Sequence, residues 1–362
     1  LEKLEDVPER LEMELRLRAW RLRLGYWFDP GRDESWRDAL EEQRRDGVID
    51  QLPEVLLATA ETLYLQGDMT KAEPILRRVL EQVGPGDDPV LFGYAVGGLG
   101  ALEMFRGDLG RAIDLFTVST TLTEGVERRL PGKSARLARA ACYAMTGNFT
   151  RAESEIEELA RTEEIRQDKS QAAYLHATEA MAAFLKSEWD RAIAAARLGM
   201  AKARAAGHRH NEYYASIWLG AALAEAGDPG AGIEALEGSA RLARDARTWI
   251  MLDWVHAFRS LAYLGAGDLQ KAKEAAAEGL RLAEEYGFKL GIGLCTEALG
   301  RLAAKSGDLP GAAEALRQAL RLYSAIGAQP YFDRCRLSLQ AITGRGTRVK
   351  EDGQGGSQIH SK

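Results

Sequence analysis

A short turn recurs every 40 residues along this chain, and no other feature constrains its fold as strongly. The turns are Gly67-Asp68, Gly107-Asp108, Gly147-Asn148, Ser187-Glu188, Gly227-Asp228, Gly267-Asp268 and Gly307-Asp308. A single globular core does not repeat itself this way. A fixed period of about 20–50 residues marks an array of like units stacked on one another. Each turn reads as a break between two helices. Gly supplies the left-handed conformation that ends a helix, and the adjacent Asp or Asn caps the next one. Seven residues before each turn stands a small residue: Ala60, Gly100, Ala140, Ala180, Gly220, Ser260, Gly300. Five residues after each stands another: Ala72, Ala112, Ala152, Ala192, Gly232, Ala272, Ala312. Small residues at both positions let the two helices of one hairpin approach closely.

Between the turns the apolar residues recur at helical spacing, as with Ile233, Leu236, Ala240 and Leu242. Ala, Leu, Glu, Arg and Lys dominate, and all are strong helix formers. A second Gly follows three turns at a fixed interval (Gly207, Gly287, Gly327), as a helix C-cap would. The unit is therefore helix A, turn, helix B, loop. The predicted fold is all-α: a right-handed α-solenoid of about eight antiparallel hairpins with a C-terminal capping helix. Residues 1–342 read as one domain, with a divergent hairpin in 1–50, seven repeats in 51–327 and the cap in 328–342. Arg334 and Arg336 are expected on the outer face of the cap. The Gly- and Ser-rich stretch 343–362 reads as a disordered tail.

The skeleton of small residue, Gly-Asp turn and Ala resembles the tetratricopeptide repeat. Leu299-Gly300-Arg301-Leu302 before Gly307-Asp308-Leu309 and Ala312 carries the likeness, as does Leu219-Gly220-Ala221-Ala222 before Gly227-Asp228. The period exceeds that family's usual length of about 34 residues, and the extra residues are expected in the loop after helix B. The longer repeat is similar to those in the C-terminal arms of bacterial ATPase-linked signalling proteins, among them nucleotide cyclases, Ser/Thr kinases and maltose-regulator-type activators. Leu4-Glu5-Asp6-Val7-Pro8-Glu9-Arg10-Leu11 looks like the start of such an arm. The resemblance implies a cytoplasmic, bacterial, non-enzymatic scaffold that forms the regulatory arm of a larger signalling protein. The opening Leu1-Glu2-Lys3, without an initiator Met, reads as the edge of a segment from such a protein.

Composition supports this class. The 362 residues carry a formal net charge of −6, without the basic surplus of a dedicated nucleic-acid binder. The cysteines Cys142, Cys295 and Cys335 are too few and scattered for a disulfide framework or a zinc site, and read as small apolar residues in helices. No apolar run approaches the ~20 residues of a membrane span, so a membrane partner is not expected.

The motifs that could carry chemistry each fail on context. Pro131-Gly132-Lys133-Ser134 lacks the upstream Gly of a phosphate loop, since Glu127 stands there, and reads as an inter-repeat loop. Gly291-Ile292-Gly293 lacks the third Gly of a dinucleotide fingerprint and reads as a helix start. His208-Arg209-His210-Asn211-Glu212 offers two imidazoles but no ligand from a second element, and reads as a solvated loop. His176 and His256 occupy equivalent helix positions and read as interior or interface residues. No nucleophile comes with a base. No catalytic residue, cofactor or metal is therefore expected.

The remaining candidate is the concave surface that stacked hairpins create. Its inward positions lie about thirteen, ten, six, three and two residues before each turn. The first of these holds Tyr94, Tyr174, Tyr214 and Trp254, with Met104, Phe105, Met145, Met181 and Phe184 nearby. Toward the C-terminus the inward set becomes polar: Glu297, Arg301 and Lys305. The expected partner is a protein or peptide segment lying along an aromatic, Met-rich groove. A small ligand held by adjacent aromatics and self-association through the ends or convex face are the alternatives.

Overall fold

The computed structural model describes Leu17 and residues 52–123, 132–245 and 247–354. The hairpin expected in residues 1–50, the position of Glu127 and the last residues of the tail lie outside the described residues. All regular structure among the described residues is helical. Seven hairpins follow in order: α1 (Pro53–Leu65) with α2 (Met69–Gln82), α3 (Pro89–Arg106) with α4 (Leu109–Thr123), and α5 (Gly132–Met145) with α6 (Phe149–Ala160). A short α7 (Glu163–Gln167) precedes α8 (Lys169–Leu185), which pairs with α9 (Trp189–Ala206). Then come α10 (Arg209–Glu225) with α11 (Pro229–Asp245), α12 (Leu252–Ala266) with α13 (Leu269–Tyr286), and α14 (Lys289–Lys305) with α15 (Leu309–Ile326). α16 (Gln329–Gln354) ends the series. Each helix packs on its partner and on the next hairpin, which is the expected α-solenoid.

The turn chemistry is as the sequence reads. The six turn glycines have φ between +81° and +95°, and Ser187 takes the same region at +63°. Asp68, Asn148, Asp268 and Asp308 each accept the backbone N–H three residues on, whereas Glu188 makes no such cap. The small residues face each other across the hairpins. A Cβ on Gly220 would stand 3.1 Å from the Gly232 carbonyl, and one on Gly232 2.9 Å from the Gly220 carbonyl.

The structure corrects three expectations. In three repeats the residues beyond the usual repeat length do not enlarge the loop after helix B, which is only Gly207-His208, Gly287-Phe288 or Gly327-Ala328, whereas after α2, α6 and α11 the connection is longer, as expected. In those three repeats they lengthen the helices instead, to 17 residues in α10 and 18 in α9, α13 and α15. α16 does not stop at 342 but runs to Gln354, because no proline follows Pro330 and a helical glycine costs only about 1 kcal/mol. Arg334 is not on the outer face: its guanidinium lies 5.1 Å over the Phe184 ring, inside the superhelix.

The superhelix also touches itself. The Gly67 turn abuts the Tyr286 ring, the Gly107 turn abuts Ile326 and Lys289, and the Gly147 turn abuts Gln329. These contacts join units five repeats apart, and α14 and α16 meet α3 and α5 across the axis. A solenoid wound this tightly has little room along its centre.

Candidate functional site

The axis is occupied over much of its length by the chain's own aromatic rings. Phe105 stacks at 5.7–6.0 Å from Phe288 and Trp254. Trp254 meets Trp218 edge-on at 6.0 Å, and Trp218 meets Phe184 and Phe258 at 5.5 and 5.9 Å. Tyr174 and Tyr214 pair at 5.6 Å. Such geometries are those that aromatic pairs favour inside proteins. Tyr94, Met181, Phe184, Tyr214 and Trp254, expected along an open groove, are all buried, while Tyr174 is half-buried. They do point inward, but they meet one another rather than solvent.

The sequence reading missed the position that fills the axis. Nine residues before each turn stand Ala58, Gly98, Ala138, Thr178, Trp218, Phe258 and Ala298. This position shares a face with the thirteen-before and six-before sites, since residues four and three apart lie one above another on a helix. Where it holds Trp218 and Phe258 the axis is solid. Where it holds Gly98 and Ala138 those residues border a cavity instead, with Leu76 packed against Gly98.

The cavity, of about 140 Å³, lies among α1, α2, α3, α4, α5, α8 and α10. Its walls include Glu61, Tyr64, Tyr94, Ala101, Tyr174 and His210, with Gly97, Gly98 and Ala138 leaving the space. A smaller lobe of about 50 Å³ shares Tyr64, Tyr174 and His210 and adds Met104, Met145, Met181, Tyr214 and Trp254. Two buried polar atoms bordering these lobes, Ser119 Oγ and Trp254 Nε1, make no hydrogen bond. Burial holds the Tyr174 phenol far above its ordinary pKa, so it stays neutral. Burial pushes His210 down to about 4, so it too is neutral near pH 7. Beside the expected Tyr94 and Tyr174, Glu61, Tyr64, Gly97 and Ala101 fall on the expected inward register. His210 lies four residues before Tyr214 and so on the same face.

The polar end of the expected groove is a closed network. Glu297 is buried and accepts the Tyr323 hydroxyl at 2.8 Å. Arg301 lies 3.8 Å from Glu225 and 3.9 Å from Glu297. Lys305 is exposed. Arg334 joins from α16, its charge favoured by Glu297 and Glu225 although burial works against it.

The histidine cluster is not a solvated loop. His208 and His210 are buried, and His208 Nδ1 caps α10 by accepting the Asn211 N–H at 3.2 Å. No metal-binding group of three or more His, Cys, Asp or Glu forms among the described residues. His176 lies 3.3 Å from Glu179, and His256 is half-buried. Gly291 and Gly293 sit inside the first turns of α14, where they make room for Asp253 and the Tyr323 ring. Gly132 opens α5. The three cysteines are free and buried. No helix among the described residues is long and apolar enough to cross a membrane.

No family profile and no curated protein matches the chain in sequence. Solved structures do match it in shape. A Rap protein complexed with Competence and Sporulation Factor superposes with a TM-score of 0.59 at 14% identity, covering 92% of this chain and 98% of that one. The Cut9–Hcn1 hetero-tetramer of APC/C gives 0.51 at 15% identity, covering 90% of this chain and 63% of that one. A signal-transduction ATPase with a tetratricopeptide-repeat sensor from Pyrococcus horikoshii gives 0.47 at 13% identity, covering 82% and 51%. The fold is thus a tetratricopeptide-like helical-repeat solenoid.

Proposed function

We propose that this chain is a non-enzymatic, cytoplasmic interaction scaffold that captures an anchor side chain of a peptide or protein segment in its interior cavity. The observation that carries this reading is the aromatic cavity itself, which among the described residues interrupts an axis packed with rings. Native interiors leave few voids larger than a water molecule, and ligand sites are concave, apolar and set with a few polar groups. The complex of the Rap protein with Competence and Sporulation Factor is compatible with a ligand role for this fold. A segment lying along the whole axis does not fit, because Trp218, Trp254 and Phe258 fill it. One inserted side chain does. The 40-residue period supports a place in the arm of a larger signalling protein.

A second reading, a small-molecule sensor, is favoured by the size of the larger lobe. About 140 Å³ is comparable to an engineered cavity of about 150 Å³ that accepts benzene.

Peptides selected against the full chain from a random display library test the scaffold reading. They should share one anchor residue, and Ala101→Phe, which fills the larger lobe, should abolish their binding while the helical circular dichroism is kept. Peptides that bind Ala101→Phe as well as the wild type would refute it.

A further inference from the structure

We propose that the larger lobe recognises an uncharged phenol ring, carried by a tyrosine side chain of a bound segment or by a free phenol. The inference rests on the cavity reading above and adds the chemistry of what enters.

Ser119 supplies the polar observation. Four threonines of α4 each donate their hydroxyl to the carbonyl four residues back: Thr117 to Ile113 at 2.8 Å, Thr120 to Phe116 at 2.7 Å, Thr121 to Thr117 at 3.0 Å and Thr123 to Ser119 at 2.9 Å. That local bond is open to any hydroxyl inside a helix, and Ser119 does not make it. Its Oγ is buried and has no hydrogen-bond partner. It faces α3, where a Cβ on Gly97 would stand 2.8 Å away, and Gly97 and Ser119 both line the lobe. Buried polar atoms are rarely left unpaired. A serine hydroxyl both donates and accepts, so one polar atom brought by the occupant completes it.

The remainder of the lobe sets the size and charge of that occupant. Leu76, Ala101, Phe116 and Ala138 contribute apolar surface. Glu61 also borders the lobe but is already engaged within the protein. Burial keeps Tyr174 and His210 neutral near pH 7. Among the described residues, an entering ion would therefore shed its hydration without gaining an unspent opposite charge, and burying an unpaired charge is costly. The volume of about 140 Å³ is close to that of a cavity that accepts benzene. A bare ring fills it but leaves Ser119 unanswered. A ring with one hydroxyl fills the space and completes Ser119, with Phe116 and Tyr174 as ring neighbours.

Titration of the full chain with phenol and with benzene at pH 7, followed by NMR, separates the hydroxyl from the ring. Phenol should bind about fivefold tighter than benzene, the worth of one hydrogen bond. Ser119→Ala should bring that ratio to about one and should melt no lower than the wild type, since no bond within the protein is lost. Ala101→Phe should abolish binding of both probes, with circular dichroism confirming that both variants fold. Equal or tighter binding of benzene by the wild type, a phenol preference that survives Ser119→Ala, or a lower melting temperature of that variant overturns the phenol inference and leaves the cavity reading standing. Binding of neither probe, or binding of both that persists in Ala101→Phe, overturns both. Displacement of phenol by Nα-acetyl-tyrosine methylamide assigns the lobe to a tyrosine anchor, and displacement by p-cresol alone assigns it to a free phenol.

Discussion

The backbone N–H of Trp249 donates to the carbonyl of Leu65 at 3.0 Å, and Thr248 Oγ1 donates to the same oxygen at 3.1 Å. The loop before α12 thereby satisfies the end of α1, across a sequence separation of 183 residues. Helix ends leave carbonyls without intrahelical partners, and here a distant repeat supplies the missing donors. Stability in an open solenoid is a sum over neighbours. In this one, the first hairpins are also held by the last, so unfolding should be more cooperative than a linear array allows.

The seam can be tested with two glycines of like backbone. Gly107 and Gly267 have φ of +86° and +85°. A Cβ at Gly267 meets open space, whereas one at Gly107 would stand 2.5 Å from Ile326 across the seam. Gly267→Ala should cost about 1–2 kcal/mol, the left-handed penalty alone. Gly107→Ala should cost about 1–3 kcal/mol more, the added cost of overpacking. Urea denaturation of the two variants checks this, and equal losses would mean that the seam carries no load.

Asp253 predicts a pH dependence of opposite sense to acid denaturation. It is fully buried in the first turn of α12, directly beneath Gly291, with no side-chain partner for its carboxyl oxygens. Burial raises its pKa to about 7, offset in part by nearby backbone N–H groups. Because the folded value lies above the unfolded one, near 3.9, the group's contribution is intact below about pH 4 and is lost as pH rises through 7. Asp253→Asn should therefore stabilise the protein at pH 8, by up to about 4 kcal/mol, and the gap should close toward pH 4. Melting curves of both proteins across this range are the measurement.

The hairpins were legible because their signals are local: Gly supplies the turn, Asp caps, and small residues set the approach. The groove was not, because its shape depends on how tightly the superhelix winds, and no single repeat encodes that. The seam shows why. Gly107 meets Ile326 only after several small rotations between repeats have accumulated. The cavity was missed for another reason. The sequence reading looked for large residues such as Tyr214 and Trp254, whereas the empty space is written by Gly97, Gly98, Ala101 and Ala138. His210 was hidden in a loop reading because the cap made by His208 starts the helix at Arg209, inside the stretch 208–212 that reads as loop.

His208 sets the acid limb. Its Nδ1 must be unprotonated to accept the Asn211 N–H, and burial, aided by the neighbouring His210, lowers its pKa to about 3. The unfolded value is near 6.5, so this contribution is complete above about pH 6.5 and is lost as pH falls toward 3. His208→Asn keeps an acceptor for the cap but does not titrate. It should melt near the wild-type temperature at pH 7.5 and lose stability less steeply on acidification. The slope should not vanish, since His210 and His256 are lowered to about 4 by burial as well. An unchanged slope would remove His208 from the acid response.

The position nine residues before the turn should respond oppositely in different repeats. Trp218 is fully buried and packs edge-on against Trp254 and at a tilt against Phe184. Trp218→Ala removes a whole ring from a packed axis and should cost about 3–5 kcal/mol. Ala138 occupies the same repeat position but faces the larger lobe. Ala138→Leu should change stability by less than about 1 kcal/mol, because its added methyl groups enter space already present rather than displacing neighbours. The same variant should weaken any ligand of the lobe. Chemical denaturation of both proteins decides the point: a large loss from Ala138→Leu would mean that the lobe is packed shut in solution.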